Sequence, residues 1–513
     1  MHLKLTQGRR LAALTVAAAI GTMAVATPAL AADPLPDPAQ TGTIHITKLQ
    51  TPVSGTAGDG TQLTPAPSNT PIAGVTFKVK QVQSIDLTTQ AGWTAAAALA
   101  STYNTAAPTT GAAAEQVITG ASYTLGDLGT QTTNAAGVAT FGGLPLGLYL
   151  VEETGTPAGV TSSAPFLVTL PITDPKNTNQ WLYDVYLYPK NAVTSVTKTV
   201  TDAAAVALGD EVTYTITGDI PDSTDGSASP LTGYLISDTL VKELTYKSAT
   251  VSVSNVTLGS GDYTITSTPN ADGTTTVDIR FTTAGLAKLG ANRAETVTAT
   301  ITTTANATGE LANTAYLYPD SASVKSYDDG VPPDDPTNPN PPVPSEPVIT
   351  KWGSITVQKL GPGNQLLPGA TFQVYTNATD AEAGANPVTI DGVSTWTTDS
   401  TGKTVISGLR YSAWADGAAV APGDPGYLQY YLVETVAPAG YELQAEPIPF
   451  IVDANTTSAV SVQSVTDVPT NAGFIMPFTG GTGSAVLYGA GLIILVAVAA
   501  AGVVIYRRRA ANR

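Results

Sequence analysis

Apolar and polar residues alternate with a period of two along most of this chain, as expected of strands with one face in a core and one in water. The pattern recurs in TIHITKL (43–49), AGVTFKV (73–79), VTSVTKTV (193–200), EVTYTIT (211–217), TTVDIRF (275–281) and ETVTATITT (295–303). Helical periodicity is confined to an Ala-rich stretch around Trp93 to Tyr103 and a short AGLAKL (284–289). In the run WLYDVYLYPKN (181–191), Trp181, Tyr183, Val185 and Leu187 share one parity and are expected to face a core, with Pro189 closing the strand. Lys190 then points outward and Asn191 returns inward.

The order of these runs divides the chain. Residues 32–191 and 348–474 follow one plan. AGVTFKV matches PGATFQV (368–374), TNAAGVATFGGL (133–144) matches TDSTGKTVISGL (398–409), and YLVEETGTPAG (149–159) matches YLVETVAPAGY (431–441). Two copies of one sandwich account for this economically. Residues 192–328 carry Thr/Val-rich strands in a different order and predict a second kind of sandwich. The proline-dense 329–347 predicts an extended spacer of polyproline type. Stretches 51–70 and 105–115 are read as long loops, where recognition commonly resides. The expected class is all-β.

Three lysines sit among apolar neighbours on their strands: Lys48 with Ile44 and Ile46, Lys198 with Val196 and Val200, Lys359 with Ile355 and Val357. A buried ammonium without a partner costs several kcal/mol or sheds its proton. The neutral amine that results is a nucleophile. Each segment ends near an asparagine, Asn191, Asn313 and Asn471, and each offers a carboxyl on an inward face: Glu153 (Glu152 points the other way), Asp238 and Glu434. A carboxyl held in apolar surroundings has a raised pKa and can act as an acid. The amine could then attack the asparagine carbonyl while the carboxyl moves protons and ammonia leaves. Ordinary Lys–carboxylate ion pairs are the alternative. The constellation resembles the intramolecular isopeptide bonds of Gram-positive pilins, and the YLVET run resembles their E-box. That resemblance implies Lys48–Asn191, Lys198–Asn313 and Lys359–Asn471 cross-links assisted by Glu153, Asp238 and Glu434. The repeated plan is similar to the Cna B-type domain of immunoglobulin-like β-sandwiches.

The termini indicate destination. Lys4, Arg9 and Arg10, the apolar run 11–26 and Ala29-Leu30-Ala31 read as a secretory signal peptide, residues 1–31. At the other end (475–513), Met476-Pro477-Phe478-Thr479-Gly480, an apolar stretch long enough to span a bilayer (485–506) and Arg507 to Arg509 follow in order. They resemble a cell-wall sorting signal, with Met476 in place of the usual leucine. The spacing from Trp181 to Lys190 resembles the pilin motif of sortase-assembled pili, with Leu187 replacing the usual β-branched residue. There the lysine accepts the next subunit.

Composition narrows the remaining classes. Forty acids against 23 cations give a net charge of −17, and both terminal segments carry cations without acids, so the chain between them is more acidic still. Such a surface is unsuited to nucleic acid. Cysteine is absent and only two histidines occur, which excludes disulfide stapling and thiol catalysis. No nucleophile elbow, HExxH or metal-ligating cluster is present, so neither an enzyme nor a cofactor or metal is expected. His45 is read as a solvated surface residue. The resemblance implies a major pilus-shaft subunit, joined Lys190 to Thr479 by a pilus-type sortase, head to tail with identical subunits. It further implies a housekeeping sortase linking the fibre to peptidoglycan at the cell surface. A tip pilin and a host or bacterial receptor are further partners it leaves room for. A monomeric wall-anchored adhesin is the rival reading.

Overall fold

Strands with a two-residue period must lay their apolar faces against a second sheet, and this chain does so repeatedly. The structure, a computed structural model, describes residues 35–51, 58–223, 230–444, 446–457 and 462–470. The expected signal peptide, Asn471, the expected sorting residues Met476 to Gly480 and the apolar tail lie outside the described residues. Among the described residues no helix is long and apolar enough to cross a membrane. Two compact units result. Of the described residues, the first comprises those up to 205 with 209–351 and 414–419; the second comprises 206–208, 352–413 and those from 420 to 470.

The first unit holds two sandwiches. In the first, Gly42–Thr47 lies between Asp184–Leu187, parallel to it, and Val138–Leu144, antiparallel. Facing it is a four-stranded sheet in the order Leu125–Thr132, Thr76–Val82, Gly147–Gly155, Phe166–Leu170. Ile44, Ile46, Phe77, Val79, Tyr149, Val151 and Val185 fill the space between. The other side of the four-stranded sheet is also covered. Leu148 and Leu150 pack under helices Gln90–Ala106 and Gly111–Gly120, against Leu99, Tyr103, Ala114 and Ile118. That is why 148–151 reads as a continuous apolar run rather than an alternating one.

The middle sandwich stacks a four-stranded sheet (Val196–Thr201, Glu211–Asp219, Thr296–Ala305, Leu244–Val253) and a five-stranded one (Tyr263–Pro269, Thr275–Phe281, Leu235–Leu240, Ala315–Tyr318, Val343–Pro344). In the second unit the strand Val348–Gly361, from Trp352 on, pairs antiparallel with Lys403–Arg410 and parallel with Val462–Thr466. A second sheet there runs Trp396–Thr397, Thr371–Tyr375, Tyr430–Val436, Ile448–Phe450. The chain is thus a tandem of all-β sandwiches.

Four local expectations are corrected. The run 181–191 is not one strand. Trp181–Leu182 pairs with Ile172–Thr173, Asp184–Leu187 with Gly42–Thr47, and Lys190–Val193 with Leu49–Gln50. Pro189 has no N–H to give to a ladder, yet its carbonyl accepts from Leu49 N at 3.1 Å, so pairing pauses there and resumes at Lys190. Of the four residues expected to face the core, only Val185 and Leu187 are buried; Trp181 is half-buried and stacks on Trp93, ring centroids 5.1 Å apart.

The stretch 105–115 is not a loop but the end of one helix and the start of another. Thr110 caps the second, its hydroxyl accepting from Ala113 N at 3.3 Å, and Ala114 and Ile118, four apart, reach the core. The proline-dense 329–347 does not stand free: Val343–Pro344 adds to the five-stranded sheet, and Pro339 O accepts from Thr156 N at 2.8 Å. His45 is half-buried, stacked 4.5 Å from Tyr186.

Leu99, buried where the first helix meets the sheet, tests this packing. Leu99→Ala is expected to cost about 2–5 kcal/mol locally. Native-state hydrogen exchange should show protection falling across 90–120 and remaining unchanged in the 196–305 strands.

Candidate cross-linking sites

The repeat TNAAG/TDSTG explains how each outer lysine is held. Thr133 Oγ1 accepts from Val75 N (2.9 Å) and donates to Ile72 O (2.9 Å); Thr398 Oγ1 does the same with Ala370 N and Leu367 O, both at 3.0 Å. The next residue, Asn134 or Asp399, accepts two local N–H groups through Oδ1 and turns the chain. The glycine at the fifth place then takes a left-handed conformation, φ +73° at Gly137 and +68° at Gly402. Its carbonyl accepts from the backbone N–H of Lys48 (2.7 Å) or Lys359 (2.8 Å). A Cβ at Gly137 would lie 2.5 Å from Lys48 O. The motif is a clamp on the lysine backbone.

All three lysine side chains are sealed from water. In the first sandwich Lys48 Nζ is paired with Glu153 and donates to Ser163 Oγ at 3.2 Å, above the Phe77 ring at 5.8 Å. Glu153 also accepts from Asn191 Nδ2 (2.8 Å), Ser163 N (3.1 Å) and Ser163 Oγ (2.6 Å). Lys48, Glu153 and Asn191 are therefore brought together. Ser163 escaped sequence reasoning because it stands in a connection with no periodicity to mark it. Glu152 faces the helices and pairs with Lys80 at 2.5 Å. Desolvation pushes the Lys48 amine below its ordinary value, with Glu153 opposing.

In the middle sandwich Lys198 Nζ lies 2.5 Å from Asp238 Oδ2, which also accepts from Asn313 Nδ2 at 3.4 Å. The amine sits 4.9 Å from the Tyr214 ring centroid. Burial lowers the Lys198 pKa and raises that of Asp238, both favouring the neutral pair over the ion pair. Asn191 Oδ1, Asn313 Oδ1 and Asp238 Oδ1 have no hydrogen-bond partner among the described residues. A protonated carboxyl would have a carbonyl oxygen to donate to once the amide turns over.

In the second unit Lys359 Nζ contacts two carboxyls, Glu434 at 2.8 Å and Asp467, 5.7 Å from the Phe372 ring centroid. Glu434 Oε2 accepts from Gln444 N at 2.8 Å, and desolvation raises the Glu434 pKa. The register repeats that of the first sandwich: Phe77 is opposite Glu153, and Phe372 is opposite Glu434. Asp467, which the sequence reading did not single out, completes this cluster.

Lys190 differs from the buried three. It is half-buried, makes no ion pair among the described residues, and its amine is lowered only by partial desolvation. Its neighbour Asn191 is fully buried. Among the described residues no group of three or more His, Cys, Asp or Glu side chains could hold a metal ion.

Comparison with known proteins identifies relatives of this chain. Residues 39–192 match the family model for the N-terminal D1 domain of Gram-positive pilin subunits, and residues 353–466 match the SpaA prealbumin-like fold domain. The chain is 33% identical to a type 1 fimbrial subunit of Actinomyces viscosus, over 99% of both chains. Among solved structures it is similar to the full-length major pilin SpaD of Corynebacterium diphtheriae (TM-score 0.59, 27% identity, 84% of this chain and 98% of that one). It is likewise similar to the SpaA major pilin of the same organism, whose structure was described as pointing to a modular assembly with stabilising isopeptide bonds (TM-score 0.62, 25% identity, 83% and 99%).

The opposed pKa shifts of Lys198 and Asp238 carry a sign that can be measured in an Asn313→Ala chain, where the amide beside the pair is removed. The raised Asp238 value means stability contributed by this cluster falls as pH climbs from the ordinary carboxylate range through the folded pKa. The lowered Lys198 value means stability rises as pH climbs from the folded lysine pKa toward the ordinary one. Relative to Asn313→Ala with Lys198→Met and Asp238→Leu added, the single variant should therefore be least stable near neutrality, by about 1–4 kcal/mol in denaturant titrations.

Proposed function

Since this chain belongs to the fimbrial subunits of Gram-positive bacteria and is a structural unit of a pilus shaft rather than an enzyme, we propose that it polymerises through Lys190 and Thr479. A pilus-type sortase cleaves after Thr479, holding it as a thioester and releasing Gly480 with the tail; Met476, Pro477 and Phe478 are the residues it reads. The Lys190 amine of the next subunit attacks the thioester, the N–C bond forms as the C–S bond breaks, and the nitrogen's surplus proton goes to the departing thiolate. The chain has no cysteine, so the thiolate comes from the sortase. One acceptor and one donor per subunit give a non-closing, head-to-tail polymer of identical copies. A housekeeping sortase transfers the finished fibre to peptidoglycan, which places it at the cell wall.

The observation that carries this reading is the pairing of neighbours: Asn191 is sealed beside Glu153, while Lys190 remains partly in water with no counter-charge among the described residues. The domains are stiffened by internal amides, Lys48–Asn191 and Lys198–Asn313, each formed with loss of ammonia and with Glu153 or Asp238 relaying protons. Lys359 forms a third, with Glu434 relaying its protons. By analogy with a disulfide, closing a loop of about a hundred residues restricts the unfolded chain by roughly 4–5 kcal/mol. Tension along the fibre then passes through covalent bonds instead of peeling strands apart.

Lys190→Arg in the producing bacterium is expected to abolish the ladder of covalent oligomers on a denaturing gel and leave single subunits on the envelope. Their internal mass deficit should be unchanged. An undiminished ladder overturns the assignment of Lys190. For the internal bonds, Lys198→Ala should restore the mass of one ammonia to the intact chain; an unchanged deficit overturns the middle cross-link.

A further inference from the structure

We propose that Lys359 is joined to Asp467, rather than to Asn471, by an amide made with loss of water. This rests on the reading above that the sandwiches carry internal amide cross-links. The repeat itself supplies the argument. In the first sandwich Leu49, the residue after Lys48, is opposite Lys190 in a parallel register, and the acceptor Asn191 is one step further on. In the second unit Leu360, the residue after Lys359, is opposite Thr466 in a parallel register, and one step further on is Asp467. Asp467 thus holds the place of Asn191, with an acid where the first sandwich has an amide.

Its setting agrees. Asp467 is buried, its N–H donates to Leu360 O at 2.9 Å, and its Oδ1 contacts Lys359 Nζ. Oδ2 has no hydrogen-bond partner among the described residues. Lys359 and Asp467 are 108 residues apart in sequence, on the first and last described strands of that sandwich. Both carboxyls meet the one amine in a pocket sealed from water, which holds nucleophile, acceptor and proton relay in contact. Burial raises the Glu434 pKa, which suits that carboxyl to carry a proton.

The chemistry balances without any other reactant. The neutral Lys359 amine attacks Cγ of protonated Asp467 and the N–Cγ bond forms. Glu434 gives a proton to the departing hydroxyl and recovers one from the attacking nitrogen. The Cγ–O bond breaks, one water leaves, and Glu434 ends as it began. The same steps at Asn191 or Asn313 release ammonia instead. Glu434 touches the reacting amine and is catalytic in this step; the Gln444 N–H that holds its other oxygen positions it.

The test is peptide mapping of the mature chain by mass spectrometry. The expected product is a branched peptide joining the Lys359 strand to the Asp467 strand, lighter than its two parts by one water. Asp467→Asn should give a branched peptide of identical mass, because loss of ammonia from the amide yields the same molecule. That variant guards against a substitution that merely fails to fold. Asp467→Ala should free Lys359 for tryptic cleavage, whereas Asn471→Ala should leave the branch intact. A branch to Asn471 lighter by one ammonia overturns this proposal while leaving internal cross-linking of the domain in place. A linear Lys359 peptide in the unsubstituted chain overturns both for this domain, and the Lys198 peptides report separately on the middle one.

Discussion

A lysine amine deprived of water governs this molecule. Lys48, Lys198 and Lys359 sit in apolar cores where an isolated ammonium would be expelled, and each is tolerated because a carboxyl is brought to it within the same core. Burial lowers the Lys48 and Lys198 amines and raises the Asp238 and Glu434 acids, so the surroundings that make the charged pair costly also favour the uncharged amine and acid. A chain without cysteine has thereby the makings of a covalent staple that no reductant can open.

The two outer sandwiches show how closely the supporting architecture follows that requirement. The threonine, the Asx turn and the left-handed glycine of TNAAG and TDSTG end on the backbone of the lysine, and an aromatic ring, Phe77 or Phe372, lies under the amine opposite the carboxyl. The middle sandwich reaches a similar cluster by other strands: Asp238 stands on a strand antiparallel to the one that follows Asn313. What recurs is the chemistry and the desolvation, not one strand order.

The same physics separates the lysines into two kinds. Complete burial confines Lys48 to partners within its own domain, whereas Lys190, one residue from a buried asparagine, keeps access to water and hence to another molecule. Pro189 makes this possible. It interrupts the ladder and lets Lys190 open a new short strand rather than finish an old one.

Much was legible in the sequence for a physical reason: a two-residue period forces apolar side chains onto one face, so a lysine in phase with Ile44 and Ile46 must be inside, and Glu153 rather than Glu152 must be the acid beside it. The repeat transferred that logic to Lys359 and Glu434. Periodicity could not reveal the second helix at 111–120 or the docking of the proline-dense 329–347, since both depend on what another segment covers. Nor could it find Ser163 or Asp467. Which residue of a closing strand meets a given lysine is set by the register between strands a hundred residues apart, and register is a property of the assembled sheet. The one-dimensional pattern determined which side chains go inside; only the folded chain decided whom they meet there.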